Sequence, residues 1–476
     1  MSYERMLETL DKAETGPIYD EREFDKTQIG AAVQDIIKRF DIAWPKDAMV
    51  PSDDALADRL FEAGLVLAEE SGLLCLDTGR RMTWSRNELL DILSYSSPEV
   101  KLGAGEDEVS IKRRQPDEDS YIVVGGGAYG VPVPEDLFIP IYMSYVQEPC
   151  FDYTVGPMPS SVHGRPIRDG SPWEAVWCWH EKKMIMEALQ RAGRHGMAVG
   201  VASGCASYLG VLSSTTYDGY RLTDDHLLVF ISELKVSYAE LIKAVHFKHL
   251  EANVEGYYNP IFGGYGGGAE GMAILIVAGM ILMEACFSPT RLDSAPGHAH
   301  LSCNSFPAML PGQAAAFQAI SRNTNLLVSS FVRPTAGPCI PHIFDEIAAI
   351  VLATAPSGIA HIEGVHTATG RFDTHCSPLE ARFMAEITHA AEKLTRSEAD
   401  GVVKQLVKKY KEKQKTIQKR KSFVECYDLE TLKPTPEWQG MYEKACKEME
   451  DAYGLRIVCN GTPPSLEFFH PKEVCL

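Results

Sequence analysis

The chain has 476 residues, 45% of them hydrophobic and 23% charged, which is enough to bury one large core or two or three smaller ones. Its formal net charge of −19 disfavours a general nucleic-acid binder, because a phosphate backbone requires clustered Lys and Arg. Twelve cysteines lie scattered without a CxxC pair, a usage that fits reduced, mostly buried thiols rather than a disulfide framework.

In chain order, the N-terminus MSYERMLETLDKAE is charged and lacks the apolar centre of a signal peptide, so a cytoplasmic protein without membrane contact is expected. Residues 1–118 read as a helical, polar cap, as in Asp54-Ala-Leu-Ala-Asp-Arg-Leu-Phe-Glu-Ala-Gly, whose apolar positions recur at three and four. Over 119–376, apolar segments alternate with amphipathic helices. The candidate strands are Tyr121-Ile-Val-Val, Asp152-Tyr-Thr-Val, Met197-Ala-Val-Gly-Val, Leu227-Leu-Val-Phe-Ile, Gly256-Tyr-Tyr-Asn-Pro-Ile-Phe, His298-Ala-His-Leu, Leu326-Leu-Val-Ser-Ser-Phe and Gly358-Ile-Ala-His-Ile. Helices are expected between them, at 173–193, 269–286, 312–321 and 344–354. Eight strands at a repeat of about 30 to 40 residues indicate an α/β fold, a TIM (β/α)8 barrel with N-terminal and C-terminal helical additions. An open doubly wound sheet is the alternative. The longest uncharged apolar run, Gly271 to Met283, is too short to span a bilayer and reads as a buried helix. Residues 377–476 read as C-terminal helices and a tail packed on the barrel. Within them, 403–421 hold nine Lys and Arg against Glu412 alone, the pattern of a solvated helix.

Chemistry in such a barrel sits just past the C-terminal ends of strands. Ser203, Glu233, Glu270, His298, Cys339 and His366 follow or end candidate strands at intervals of 30, 37, 28, 41 and 27 residues, and are expected to face one mouth. Two carboxylates, a histidine and a thiol offer an acid/base set or ligands for a borderline metal. Glu270, His298 and Cys339 are read as a zinc site whose open fourth position polarises a substrate oxygen. His300 and His342 stand as substitutes, and His361 as a satisfied strand residue. Gly125-Gly-Gly127-Ala-Tyr-Gly130 matches a dinucleotide fingerprint, but Pro132 and Pro134 block the helix that site needs. His180-Glu181 fails as a zinc helix, because Met184 stands where the second histidine belongs. Trp173, Trp177 and Trp179 read as core packing.

The segment Asn259-Pro-Ile-Phe-Gly-Gly-Tyr-Gly-Gly-Gly-Ala-Glu270 places six glycines between 263 and 271 ahead of a carboxylate, a strand, loop and helix start able to approach a bound group closely. A carboxylate at the helix start argues against phosphate and for a cation, a metal or a proton, or else for a simple cap. This segment closely resembles a signature of the monomethylamine:corrinoid methyltransferase family. Leu102-Gly-Ala-Gly, Pro134-Glu-Asp-Leu-Phe-Ile-Pro, Met143-Ser-Tyr, Ala192-Gly-Arg-His-Gly-Met, Ser232-Glu-Leu-Lys, Ala336-Gly-Pro-Cys339, Leu379-Glu-Ala-Arg and Lys421-Ser-Phe-Val-Glu-Cys-Tyr-Asp resemble the family's sequence in the same order. The likeness runs over about residues 3 to 456, and Glu233, Glu270, His298 and Cys339 fall on matching positions.

The resemblance implies a homo-oligomeric TIM barrel that passes a methyl group from a small substrate to the Co(I) corrinoid (cobamide) of a cognate partner protein. The chain lacks the Asp-x-His-x-x-Gly signature of base-off corrinoid binding, since Val229 and Pro378 replace the glycine after Asp224-Asp-His226 and Asp373-Thr-His375. Ser203 stands at the position matching pyrrolysine in methylamine-specific members, and Phe331 at the position matching an active-site glutamine. These departures point to a methoxylated aromatic donor whose ether oxygen is polarised by zinc, an O-demethylation. Glu233, Glu270 and His298 are then catalytic, and Ser203, Phe262, Tyr265, Phe331 and His366 line the substrate site. The alternatives are a methylamine or quaternary amine donor, and a catalytically silent barrel that only binds a ligand or partner.

Overall fold

The computed structural model describes residues 3–201, 207–216 and 218–457. Eight parallel strands close into a cylinder in sequential order: β1 Val123–Gly127, β2 Tyr153–Val155, β3 Ala198–Val201, β4 Asp225–Phe230, β5 Val254–Tyr258, β6 Arg291–Ser294, β7 Val328–Val332 and β8 His361–Gly364. β8 pairs with β1 through His361↔Val123 and Glu363↔Gly125, which closes the ring. Closure leaves no free sheet edge, and each helical crossover covers the outer face of its strands.

Seven of the eight expected strands fall on or within a few residues of the observed ones, and the sixth does not. The strand is Arg291–Ser294, and His298 lies beyond it in a two-residue pair with Ile261–Phe262. The reason is chemical. Arg-Leu-Asp-Ser turns its charges into the cylinder, so it lacks the apolar run by which a buried parallel strand is recognised.

The cap contains more than helices. An antiparallel hairpin, Glu99–Leu102 with Val109–Lys112, sets Val100, Leu102 and Ile111 against Val123, Tyr153, Ala198, Leu327 and Ala360 at the N-terminal strand ends. That plug covers the N-terminal end of the cylinder, opposite the C-terminal strand ends.

The helix after the glycine segment runs Ala269–Phe287, longer than the uncharged run alone suggests. Its length and hydropathy would allow it to cross a membrane, yet 94% of its most apolar window is buried in the fold. It ends where Ser288 turns left-handed at φ 47° and donates its N–H to Glu284 O at 3.0 Å. Gly279 lets β5 pack closely, because a Cβ there would lie 2.1 Å from the Tyr258 ring. Each fully buried Ile, Leu or Met of this helix contributes roughly 1.5–3 kcal/mol.

Candidate active site

The inward-facing residues of the cylinder are charged. Arg291 of β6 sits on the axis with an ion pair to Asp225 of β4, and its Nη2 lies 3.0 Å from Glu255 of β5 and 3.5 Å from Glu363 of β8. His361 contacts Arg291 Nη1, and burial together with Arg291 lowers the imidazole pKa, so His361 is the neutral acceptor. Ser329 Oγ donates to Asp293 Oδ2 at 3.0 Å. All of these side chains are buried, with Arg291, Asp225 and Asp293 at 1% exposure or less. Three carboxyls therefore share one guanidinium, with a fourth, Asp293, grouped beside Glu255 and Glu363, a charge balance that a dry interior does not tolerate.

Protons restore the balance. Burial pushes Glu255 and Asp293 well above the usual carboxylate range, and lifts Asp225 to about 6 against the pull of Arg291. Burial also opposes ionisation of Glu363, but Arg291 and hydrogen bonds from Asp293 and Glu255 more than offset it and hold Glu363 below its ordinary value. At neutral pH, Asp293 and Glu255 act as acids donating to an ionised Glu363. Glu363 Oε2 also accepts from Tyr153 OH at 2.8 Å and Tyr129 OH at 3.1 Å. Tyr153 reaches inward because β1 is glycine there: a Cβ at Gly125 would lie 2.4 Å from its ring. The glycine run set aside as a nucleotide motif is what makes room for this floor.

Above the floor, toward the C-terminal end, stands an aromatic wall. Phe331 of β7 meets Tyr129 at 4.8 Å, His366 at 5.8 Å and Tyr257 of β5 at 6.2 Å between ring centroids. Tyr257 and Phe331 belong to non-adjacent strands, so their contact spans the barrel interior. Arg333 lies over the Phe331 ring at 5.5 Å and donates to Tyr257 OH at 2.7 Å and Ser302 O at 3.3 Å. Burial, then Arg333, lowers His366 to about 3, which leaves it neutral. Tyr129, Tyr257, Arg333 and His366 keep part of their surface exposed above a buried interior.

The glycine segment forms a separate part of the rim. Gly263 N donates to Gly267 O at 2.8 Å, and both residues have positive φ, 83° and 79°, which glycine adopts without strain. Gly268 is the helix N-cap, and Glu270 stands inside the first turn without capping it. Glu233 follows β4, accepts from Tyr258 OH and Ile261 N at 2.8 Å each, and is pushed by burial to about 7. His298 Nδ1 accepts the backbone N–H groups of His300 and Leu301 at 3.2 and 3.3 Å, and its ring packs on Phe262 at 5.6 Å and Phe306 at 4.5 Å. Tyr265 is 49% exposed.

Glu270, His298 and Cys339 do not assemble into the expected zinc set. Among the described residues, the one group of three or more such ligands within 4.8 Å of each other is Glu255, Asp293 and Glu363, which already surrounds a guanidinium. Cys339, at φ 62°, is buried beside Cys426 of the C-terminal segment, and a hydrogen bond from that thiol lowers its pKa. Its loop is tied to 418–421 by the main chain, Gly337 N to Gln418 O at 3.0 Å, and its thiol meets Cys426 of that same C-terminal segment. Ser203 lies outside the described residues. Of the substrate set, Phe331 and His366 meet at the mouth and Phe262 joins His298 on the rim.

Tyr129, Tyr153, Tyr257, Arg291, Arg333, Glu255, Asp293 and Glu363 escaped the sequence reading. The signal available for Arg291 and Asp293 was their alternation across Leu292 at the expected strand spacing. Neither partial base-off signature presents its histidine to the mouth. His226 is buried at the start of β4 with Nε2 on Arg221 O at 3.0 Å, and His375 is buried with Nδ1 on Asp373 O at 2.7 Å.

The family model described as monomethylamine methyltransferase MtmB matches residues 5–455. Monomethylamine methyltransferase MtmB of Methanosarcina mazei is 30% identical over 441 residues, covering 93% of this chain and 96% of that protein. MtmB2 of Methanosarcina barkeri shows the same identity and the same coverage. The crystal structure of Methanosarcina barkeri MtmB superposes with a TM-score of 0.92 at 29% identity, over 94% of this chain and 98% of that one. A barrel plugged at one end, a titratable mouth at the other and this full-length agreement lead to one assignment: the chain belongs to the MtmB family of methyltransferases, which transfer a methyl group to a corrinoid protein.

Proposed function

We propose that this methyltransferase takes its methyl group from a small methylated ammonium compound, held with its cationic nitrogen against the Tyr129, Tyr257 and Phe331 wall. The observation that carries this reading is the Tyr129 hydroxyl of that wall, hydrogen-bonded to Glu363 Oε2, a carboxyl that Arg291 and its other partners hold below its ordinary pKa. Aromatic faces attract a quaternary or protonated nitrogen by about 0.5–2 kcal/mol each. The relatives named as monomethylamine methyltransferases support an amine donor.

When its partner docks, the Co(I) corrinoid supplies the nucleophile that takes the methyl group. The C–N bond breaks with its electron pair remaining on nitrogen, so a cationic donor leaves as a neutral amine and requires no acid. A methoxylated aromatic donor leaves as a phenolate and requires either a proton or a metal at its oxygen. That reading draws on the Phe331 ring, but it relied on a ligand set that is not assembled around the mouth. Glu233, at about 7, supports a second role at the rim, holding or releasing one proton as the partner's cofactor approaches.

Methyl transfer to cob(I)alamin with a panel of methylated ammonium compounds and methoxyphenols tests the reading. Turnover of ammonium donors alone is expected. Turnover of methoxyphenols with no ammonium activity would overturn it.

A further inference from the structure

Arg333 is a cation at the mouth without a carboxylate. It makes no ion pair among the described residues, although the chain carries 65 Asp and Glu. Its Nη atoms are fixed by Tyr257 OH and Ser302 O, and its backbone N–H donates to Asn304 Oδ1 at 2.9 Å. Its Nε–H is buried and has no acceptor. An unmet donor on a guanidinium is costly, because the fork is built to give two parallel hydrogen bonds to one oxyanion. The neutral His366 ring beside it contributes no charge.

The position matters as much as the valence. Arg333 and Tyr129 both border the Phe331 ring, at 5.5 and 4.8 Å from its centre, so the cation of the protein and the tyrosine bound to the Glu363 carboxyl flank one aromatic ring. A simple methylammonium ion would meet Glu363 favourably and Arg333 unfavourably. A zwitterion satisfies both ends.

We propose that Arg333 binds an oxyanion during turnover, and that this anion is a carboxylate on the donor itself: the substrate is a methylated ammonium carrying a carboxylate a few bonds from its nitrogen. The inference rests on the ammonium reading above and narrows it. The other source of an oxyanion at this mouth is the phosphodiester of the partner's corrinoid, which shares the same chemistry.

The test compares a trimethylammonium carboxylate with its methyl ester as donors to cob(I)alamin, using the full chain. Wild type is expected to favour the carboxylate by about 10- to 100-fold in kcat/KM, the worth of charged hydrogen bonds. Arg333→Gln is expected to level the two donors, and Arg333→Lys to retain part of the preference, with circular dichroism confirming that both variants fold. Equal use of carboxylate and ester by wild type would overturn the proposal while leaving the ammonium reading intact. An equal loss on both donors in Arg333→Gln would assign Arg333 a structural role and also overturn it. If the Arg333→Gln defect disappears when cob(I)inamide, which lacks the phosphodiester, replaces cob(I)alamin, the anion belongs to the cofactor. Failure of both ammonium donors would remove the proposal together with the reading on which it rests.

Discussion

The floor of the barrel and the glycine rim carry similar residue types and use them in opposite ways. On the floor, four buried carboxyls and one guanidinium come from strands β4, β5, β6 and β8, and are locked in by rigid packing. On the rim, Glu233, Glu270 and His298 come from loops and a helix start, and their partners are mostly backbone N–H groups. The contrast indicates a division of labour: the floor is an ionic unit closed on itself, whereas the rim places Glu233, which burial pushes to about 7, on a loop.

The sharpest way to break this contrast is to remove the axis cation. Arg291→Met leaves the ionised Asp225 and Glu363 without a counter-charge, and should destabilise the fold by about 3–5 kcal/mol, read from urea unfolding at pH 7. A loss under 1 kcal/mol would show that the floor is not one ionic unit.

Next in size is the titration of the rim. Glu233 binds its proton more tightly folded, at about 7, than unfolded, at the ordinary value of 4.5, so the folded state holds the extra proton between these values. Its contribution is full below about pH 4.5 and is lost as pH rises through about 7, a change of up to about 3 kcal/mol. Glu233→Gln should therefore flatten stability across that window in denaturation curves at stepped pH. An unchanged slope would contradict the assignment.

Tyr129→Phe deletes one hydrogen bond to Glu363 while keeping the ring, and should raise KM for an ammonium donor by about 3- to 10-fold with a smaller change in kcat. Smallest is Cys339→Ser, expected to cost about 1 kcal/mol of stability or less and little activity, because its thiol faces Cys426 rather than the mouth. Loss of nearly all turnover in that variant would return Cys339 to the chemistry.

The same contrast explains what the sequence made legible. The rim could be read because glycine runs and carboxylates in loops have local signatures, as in Gly263 to Glu270. Seven strands could be read because their runs are apolar enough to stand out. The floor was hidden by its own physics. β6 carries its charges inward, contrary to the usual pattern, and the apolar run of β8 was read as ending at Ile362, one residue before Glu363. Gly125 to Gly127 resembled a failed nucleotide loop, since a single sequence does not reveal that Phe151 and Tyr153 need the space. The contact of Cys339 with Cys426 was not legible, because that partner lies 87 positions away in the C-terminal segment.

Calorimetric binding of tetramethylammonium to the full chain without its corrinoid partner, in wild type and Glu363→Gln, tests the central claim most directly. Saturable binding weakened about tenfold or more by the substitution is the predicted result. Equal affinity in the two proteins, or equally tight binding of neutral methoxybenzene to wild type, would contradict a mouth built for a methylated cation.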